Sequence, residues 1–171
     1  MESGIGSDTG CGVGSDTGGD AGSGVGIRRW QPAGWIGLPG WANLALAVYA
    51  IGFLEGTGSH VRDILADGAH AYEWAASPVR AFYYVLVVLD PLAVYLAFRA
   101  RAAVAPLGVA IMAADLSANW YYNWDGIRAD PARVLYLTPM SLFGLFVALT
   151  GVPVWRVLRR RASGGGAPDI G

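Results

Sequence analysis

Two aspartates stand inside apolar runs. Asp90 interrupts AFYYVLVVLDPLAVYLAF (81–98), and Asp115 interrupts AAVAPLGVAIMAADLSANWYYNW (102–124). A carboxyl in hydrocarbon costs something like ~2.5–3.5 kcal/mol at the centre of a bilayer, so it is a candidate for function. Helical spacing extends the polar set outward from each acid. Asp115, Asn119, Tyr122 and Asn123 follow the i, i+4, i+7, i+8 pattern of one helix face, and Tyr83 lies two turns from Asp90 on the same face. Trp120 adds an aromatic wall, and Glu55 closes the preceding apolar run. Two such carboxyls side by side are expected to share a proton, or both to be neutral, near pH 7. Proline at 91 frees the Val87 carbonyl next to Asp90, and a broken helix beside an acid is a feature of ligand and ion sites in membrane proteins.

The chemistry open to these residues falls into three classes. The first is a mid-membrane acidic pocket, opening outward, that binds or moves a small amphipathic or cationic molecule, or protons. Aromatic faces supply cation–π contacts there. The second is a lipid-modifying enzyme with one carboxyl as proton donor and the other as acceptor. The third is a structural subunit whose acids pair with cations of a membrane partner. A single four-span protomer is small for a transporter, so transport implies a homo-oligomer. The site expected from the sequence is Asp90, Asp115, Asn119, Glu55, Tyr83, Tyr122 and Trp120.

The elements that position them are long apolar segments. Besides the two runs already quoted, 34–54 and 134–155 are uncharged throughout. Each run is long enough to cross ~30 Å of hydrocarbon as a helix, and backbone groups in lipid must be bonded within their own segment. The expected fold is all-α: a polytopic membrane protein, a bundle of four transmembrane helices spanning about 34–55, 78–98, 102–124 and 134–156. Asp90 and Asp115 come from antiparallel neighbours, and each lies roughly 15 Å below the outer interface at ~1.5 Å per residue. The first outer loop, 56–78, is expected to carry a short interfacial helix, with Val61, Ile64 and Leu65 as its apolar face and Ser59 as its cap. Ser77 before Pro78 reads as the cap of the second span.

Composition agrees. Of 171 residues, 54% are hydrophobic and 15% charged, against ~25% charged in ordinary soluble domains. A net charge of −1 offers no surface for nucleic acid. All twelve cations are arginine, which, with abundant Ala, Gly and Val, reads as a GC-rich, bacterial coding bias. Eight of them (28, 29, 99, 101, 156, 159, 160 and 161) flank one side of the spans, and the other four lie opposite. The arginine-rich side is therefore expected to be cytoplasmic, placing both termini inside an inner membrane.

Residues 1–29, with GSDTG at 6–10 and again at 14–18, have almost nothing to bury and read as a disordered tail. The segment 161–171 reads likewise. Cys11 is the single cysteine, and what precedes it is neither a lipoprotein signal nor a cleavable leader. No nucleotide-binding glycine motif, nucleophile elbow or zinc helix is read, so no cofactor is expected. His70 and Glu73 have the spacing of a weak metal pair on the outer loop, and His60 and His70 are candidates for a pH-sensitive lid.

Overall fold

The computed structural model describes residues 32–164. Among them there are four long helices and no strand: α1 (Gly40–Asp67), α2 (Ser77–Phe98), α3 (Val104–Ala129) and α4 (Val134–Gly164), with single 3-10 turns at Ala33–Trp35, Gly68–His70 and Pro131–Arg133. The connections are short, so consecutive helices run antiparallel and α1–α2 and α3–α4 pack as hairpins. α1, α2 and α4 are each long and apolar enough to cross a membrane. Large side chains such as Leu44, Ile51, Val88, Leu142 and Leu149 point outward uncovered. That much apolar surface suits a lipid environment and not water.

Sequence chemistry explains the boundaries. Pro39 precedes α1 and, lacking an N–H, sits where no helical donor is needed. α1 stops at Gly68, whose φ of +60° lies in the region that side chains avoid. Pro78 opens α2, while Ala76 occupies the cap position with no side-chain bond, so Ser77 is the first helical residue and not its cap. The 3-10 turn before α1 docks at the far end of α2, where Trp35 donates its indole N–H to the Ala97 carbonyl at 2.9 Å and stacks on Phe98. Trp35 is therefore buried and not presented to an interface.

The core lies where all four helices meet. Leu46, Tyr49 and Phe53 of α1 pack with Leu86 of α2, Val104 of α3 and Val147 and Val154 of α4. Small residues permit the close approach: Ala93 and Ala97 are wholly buried, and a Cβ on Gly108 would touch the Phe53 ring at 3.1 Å.

One expected element is absent as a separate unit. Residues 56–67 do not leave α1 to form an interfacial helix; they continue it without a break, and Ser59 caps nothing. Gly56 and Gly58 suggest a loop because glycine lowers helix stability by ~1 kcal/mol each. Here the helix persists because the Gly56 face is packed against α2; Thr57 bonds its hydroxyl back to the Phe53 carbonyl at 2.8 Å. α4 also runs past the boundary expected at 161, through Gly164, the last described residue. The expected tails at 1–29 and beyond 164 lie outside the described residues.

Candidate functional site

Asp90 is 3% exposed on α2, seven residues beyond the equally buried Tyr83, so both project from one face. That face meets α1 at Gly56. A Cβ there would stand 2.7 Å from Asp90 Oδ2, so only glycine lets the carboxyl lie against the α1 backbone. The other oxygen, Oδ1, is buried with no hydrogen-bond partner, and so is the Tyr83 hydroxyl. Such groups forfeit water without replacement, at roughly 1–3 kcal/mol each.

Both line a cavity of about 720 Å³ whose walls come from all four helices. α3 contributes Asp115 and Asn119. Asn119 donates its side-chain amide to Asp115 Oδ1 at 2.9 Å and to the Asp115 carbonyl at 3.1 Å, which holds the carboxyl in place from within its own helix. α1 supplies Glu55, Ser59, His60 and Asp63. The floor is apolar: Ile111 and Met112 of α3 and Phe53 of α1, whose ring meets Phe143 of α4 edge to face at 5.2 Å. A hollow of this size with an apolar lining and a few converging polar groups has the character of a small-molecule site.

The loop between α1 and α2 roofs the cavity. Tyr72 stacks on Tyr83 with ring centres 5.0 Å apart, and Trp74 and His60 approach the same ring at 5.7 and 5.8 Å. The Tyr72 hydroxyl donates to Asp63 Oδ2 at 3.5 Å and lies 3.1 Å from His60 Nδ1. Burial first, and then the Asp63 carboxylate, push that hydroxyl up to about 12. Two further bonds pin the loop: Tyr84 donates to the Ala69 carbonyl at 2.8 Å, and the Ala76 N–H donates to the Tyr122 hydroxyl at 2.9 Å.

Of the residues singled out by the sequence, the structure brings Asp90, Asp115, Asn119, Glu55 and Tyr83 to one cavity. It does not bring Tyr122 and Trp120 there. Tyr122 anchors the roof and packs edge-on against Trp74, while Trp120 donates to Ser141 Oγ at 3.1 Å and ties α3 to α4. These two line a separate outer groove with Tyr121, Trp124 and Asp125. His70 and Glu73 bond one another at 2.5 Å on the exposed part of the loop, outside the cavity.

Sequence reasoning missed Gly56, Asp63, Tyr72 and Trp74, and read His60 as part of a lid and not of the pocket. Had α1 been carried through the glycines, the spacing of Gly52, Gly56, His60 and, nearly, Asp63 would have put the four of them on one helix face. Tyr72 and Trp74 belong to a loop whose path has no local signal.

Chemically the site offers a carboxyl oxygen with an unused lone pair, a second carboxyl held by an amide, and aromatic faces above both. That set accepts hydrogen bonds from a cation and screens it from water. Comparisons with protein-family models, curated proteins and solved structures find no match.

Proposed function

We propose that this protein is a multi-pass inner-membrane protein whose cavity binds, or passes across the bilayer, a small amphipathic amine. The observation that carries the reading is that Asp90, a residue of the cavity lining, is buried with its Oδ1 unpartnered. An ammonium group would supply the missing donor and the counter-charge, and the apolar floor would take the rest of the molecule. Tyr72, Tyr83 and Trp74 add ring faces for the cation.

In this reading all four helices cross the bilayer. α3 packs against both α2 and α4 and is joined to each by a short connection, which supports a crossing alongside them. Arg99 and Arg101 at the inner end of α2 and the arginines that end α4 face the cytoplasm, with both termini. The roofed side then faces outward.

A second reading has one support of its own. Asp115 is bonded to Asn119 and Asp90 is not, and two carboxyls in unlike surroundings suit a proton donor and acceptor acting on a lipid-like substrate.

The deciding experiment replaces Asp90 and Asp115 separately by Asn in purified protein and measures thermal stability with and without dodecylamine. The parent should gain about 2.7 kcal/mol at a hundredfold excess of ligand over Kd. Asp90→Asn should keep or exceed the parent's intrinsic stability and lose that gain. Equal collapse of both variants, with no amine effect in the parent, would refute the binding site. Lipid turnover by the parent and by neither variant would establish the enzyme instead.

A further inference from the structure

The walls of the cavity are unequal. The α1/α2 seam is sealed where Asp90 lies on Gly56. The α3/α4 seam is sealed by the Trp120–Ser141 bond and, deeper, by Leu116 packed on Gly144. The α1/α4 seam is sealed only in its inner half. There Tyr49 donates to the Val147 carbonyl at 3.1 Å, lies 3.1 Å from Thr150 Oγ1, and meets Phe146 edge-on. Phe143 resting on Gly52 marks the outer limit of this closure.

Beyond that sill the seam has a different character. Ile51 and Glu55 on α1 and Pro139 on α4 line the cavity, yet all three are exposed, Ile51 to 69%. A side chain that is at once cavity wall and outer surface stands at an opening. This opening faces sideways, at the level where the neighbouring exposed residues Leu54 and Leu142 are bare apolar surface. No hydrogen bond joins α1 to α4 there among the described residues.

Resting on the amine-binding reading, we propose that the ligand enters from the bilayer through this α1/α4 portal and is a long-chain amine. Its head sits at Asp90 and Asp115, and its aliphatic tail leaves over Phe143 between Ile51 and Pro139 into the lipid. Two features favour this occupant. The acids lie about 20 Å along α2 and α3 from the outer ends of those helices, at ~1.5 Å per residue, so a wholly water-borne cation would have to pass the aromatic roof. The sill residues Val48, Ile51, Met140 and Phe143 are apolar and offer a hydrated tail nothing to bond. Trp74 marks the rival route, since it too lines the cavity and is 56% exposed.

The test uses the full chain in phosphatidylcholine nanodiscs and a dodecylamine analogue with a diazirine at the end of its tail, photolysed and mapped by mass spectrometry. Tail adducts on Ile51, Met140 or Phe143 that disappear with excess unlabelled dodecylamine and in Asp90→Asn support the portal. In Ile51→Trp this labelling should be lost, while in Leu54→Trp, an equally exposed position off the cavity wall, it should persist. Adducts on Trp74 or Tyr122 that still depend on Asp90 overturn the portal and leave the binding site standing. Labelling indifferent to Asp90 overturns the binding site, and the portal with it.

Discussion

Gly56→Ala is the most informative single change, because it sets a local gain against a long-range clash. Alanine in a helix is favoured over glycine by about 1 kcal/mol. The new methyl would, however, stand 2.7 Å from Asp90 Oδ2, where ordinary contact begins at 3.4 Å. The carboxyl must swing away, off its preferred rotamer at a cost of about 0.5–1.5 kcal/mol, or the helices must part, at about 1–3 kcal/mol. In the parent the net effect should therefore lie between a gain of about 0.5 and a loss of about 2 kcal/mol. In an Asp90→Ala background the obstacle is gone and the same change should gain about 1 kcal/mol. The coupling is thus about 0.5–3 kcal/mol, against the ~0.5 kcal/mol within which independent sites add. Reversible unfolding of the four proteins in mixed micelles, followed by helical circular dichroism, measures it. An identical effect of Gly56→Ala in both backgrounds would show that Asp90 does not lie on α1, and the placement of the carboxyl would be wrong.

Three further outcomes follow from the contacts. Tyr122→Phe removes the acceptor of the Ala76 N–H and should speed hydrogen exchange at that amide and proteolysis of 68–76, at a stability cost of about 0.5–1.5 kcal/mol. Tyr49→Phe deletes the bonds to Val147 and Thr150 that close the inner half of the α1/α4 seam and should cost about 1–2 kcal/mol in the same unfolding assay; a neutral result would mean the seam is held by ring packing alone. The Tyr72 hydroxyl is pushed from 10 up to about 12 in the folded protein, so folding favours its protonated form. The corresponding stability is complete below pH 10 and is lost as pH rises toward 12. Melting temperatures across that range should fall more steeply for the parent than for Tyr72→Phe.

The helical, membrane-like character was legible in local pattern, because burial in lipid demands unbroken apolar runs whatever the fold. The two acids were legible for the same reason: they are costly where they stand, and counting residues along antiparallel helices sets them at one depth. The path of 56–76 was not. GTGS looks like a loop on glycine content alone, and only the packing of Gly56 on Asp90 explains why a helix tolerates it. Tyr122 shares a helix face with Asp115 in a simple periodic count, yet its ring turns to the roof and Trp74, because seven residues advance far enough along α3 to clear the cavity.

By itself the chain's order of residues determined that long helices form, that α2 opens at Pro78, and that carboxyls from two of them lie at a common depth. Each of these is a matter of hydropathy, proline and glycine placement, and rise per residue. Tertiary structure alone decided that the two carboxyls share a hollow, that a tyrosine and a tryptophan from a loop cover it, and that one seam is left open beside them. Those outcomes depend on how each helix is rotated about its axis and how far its neighbours stand away, which side-chain packing between distant segments settles and no local pattern encodes.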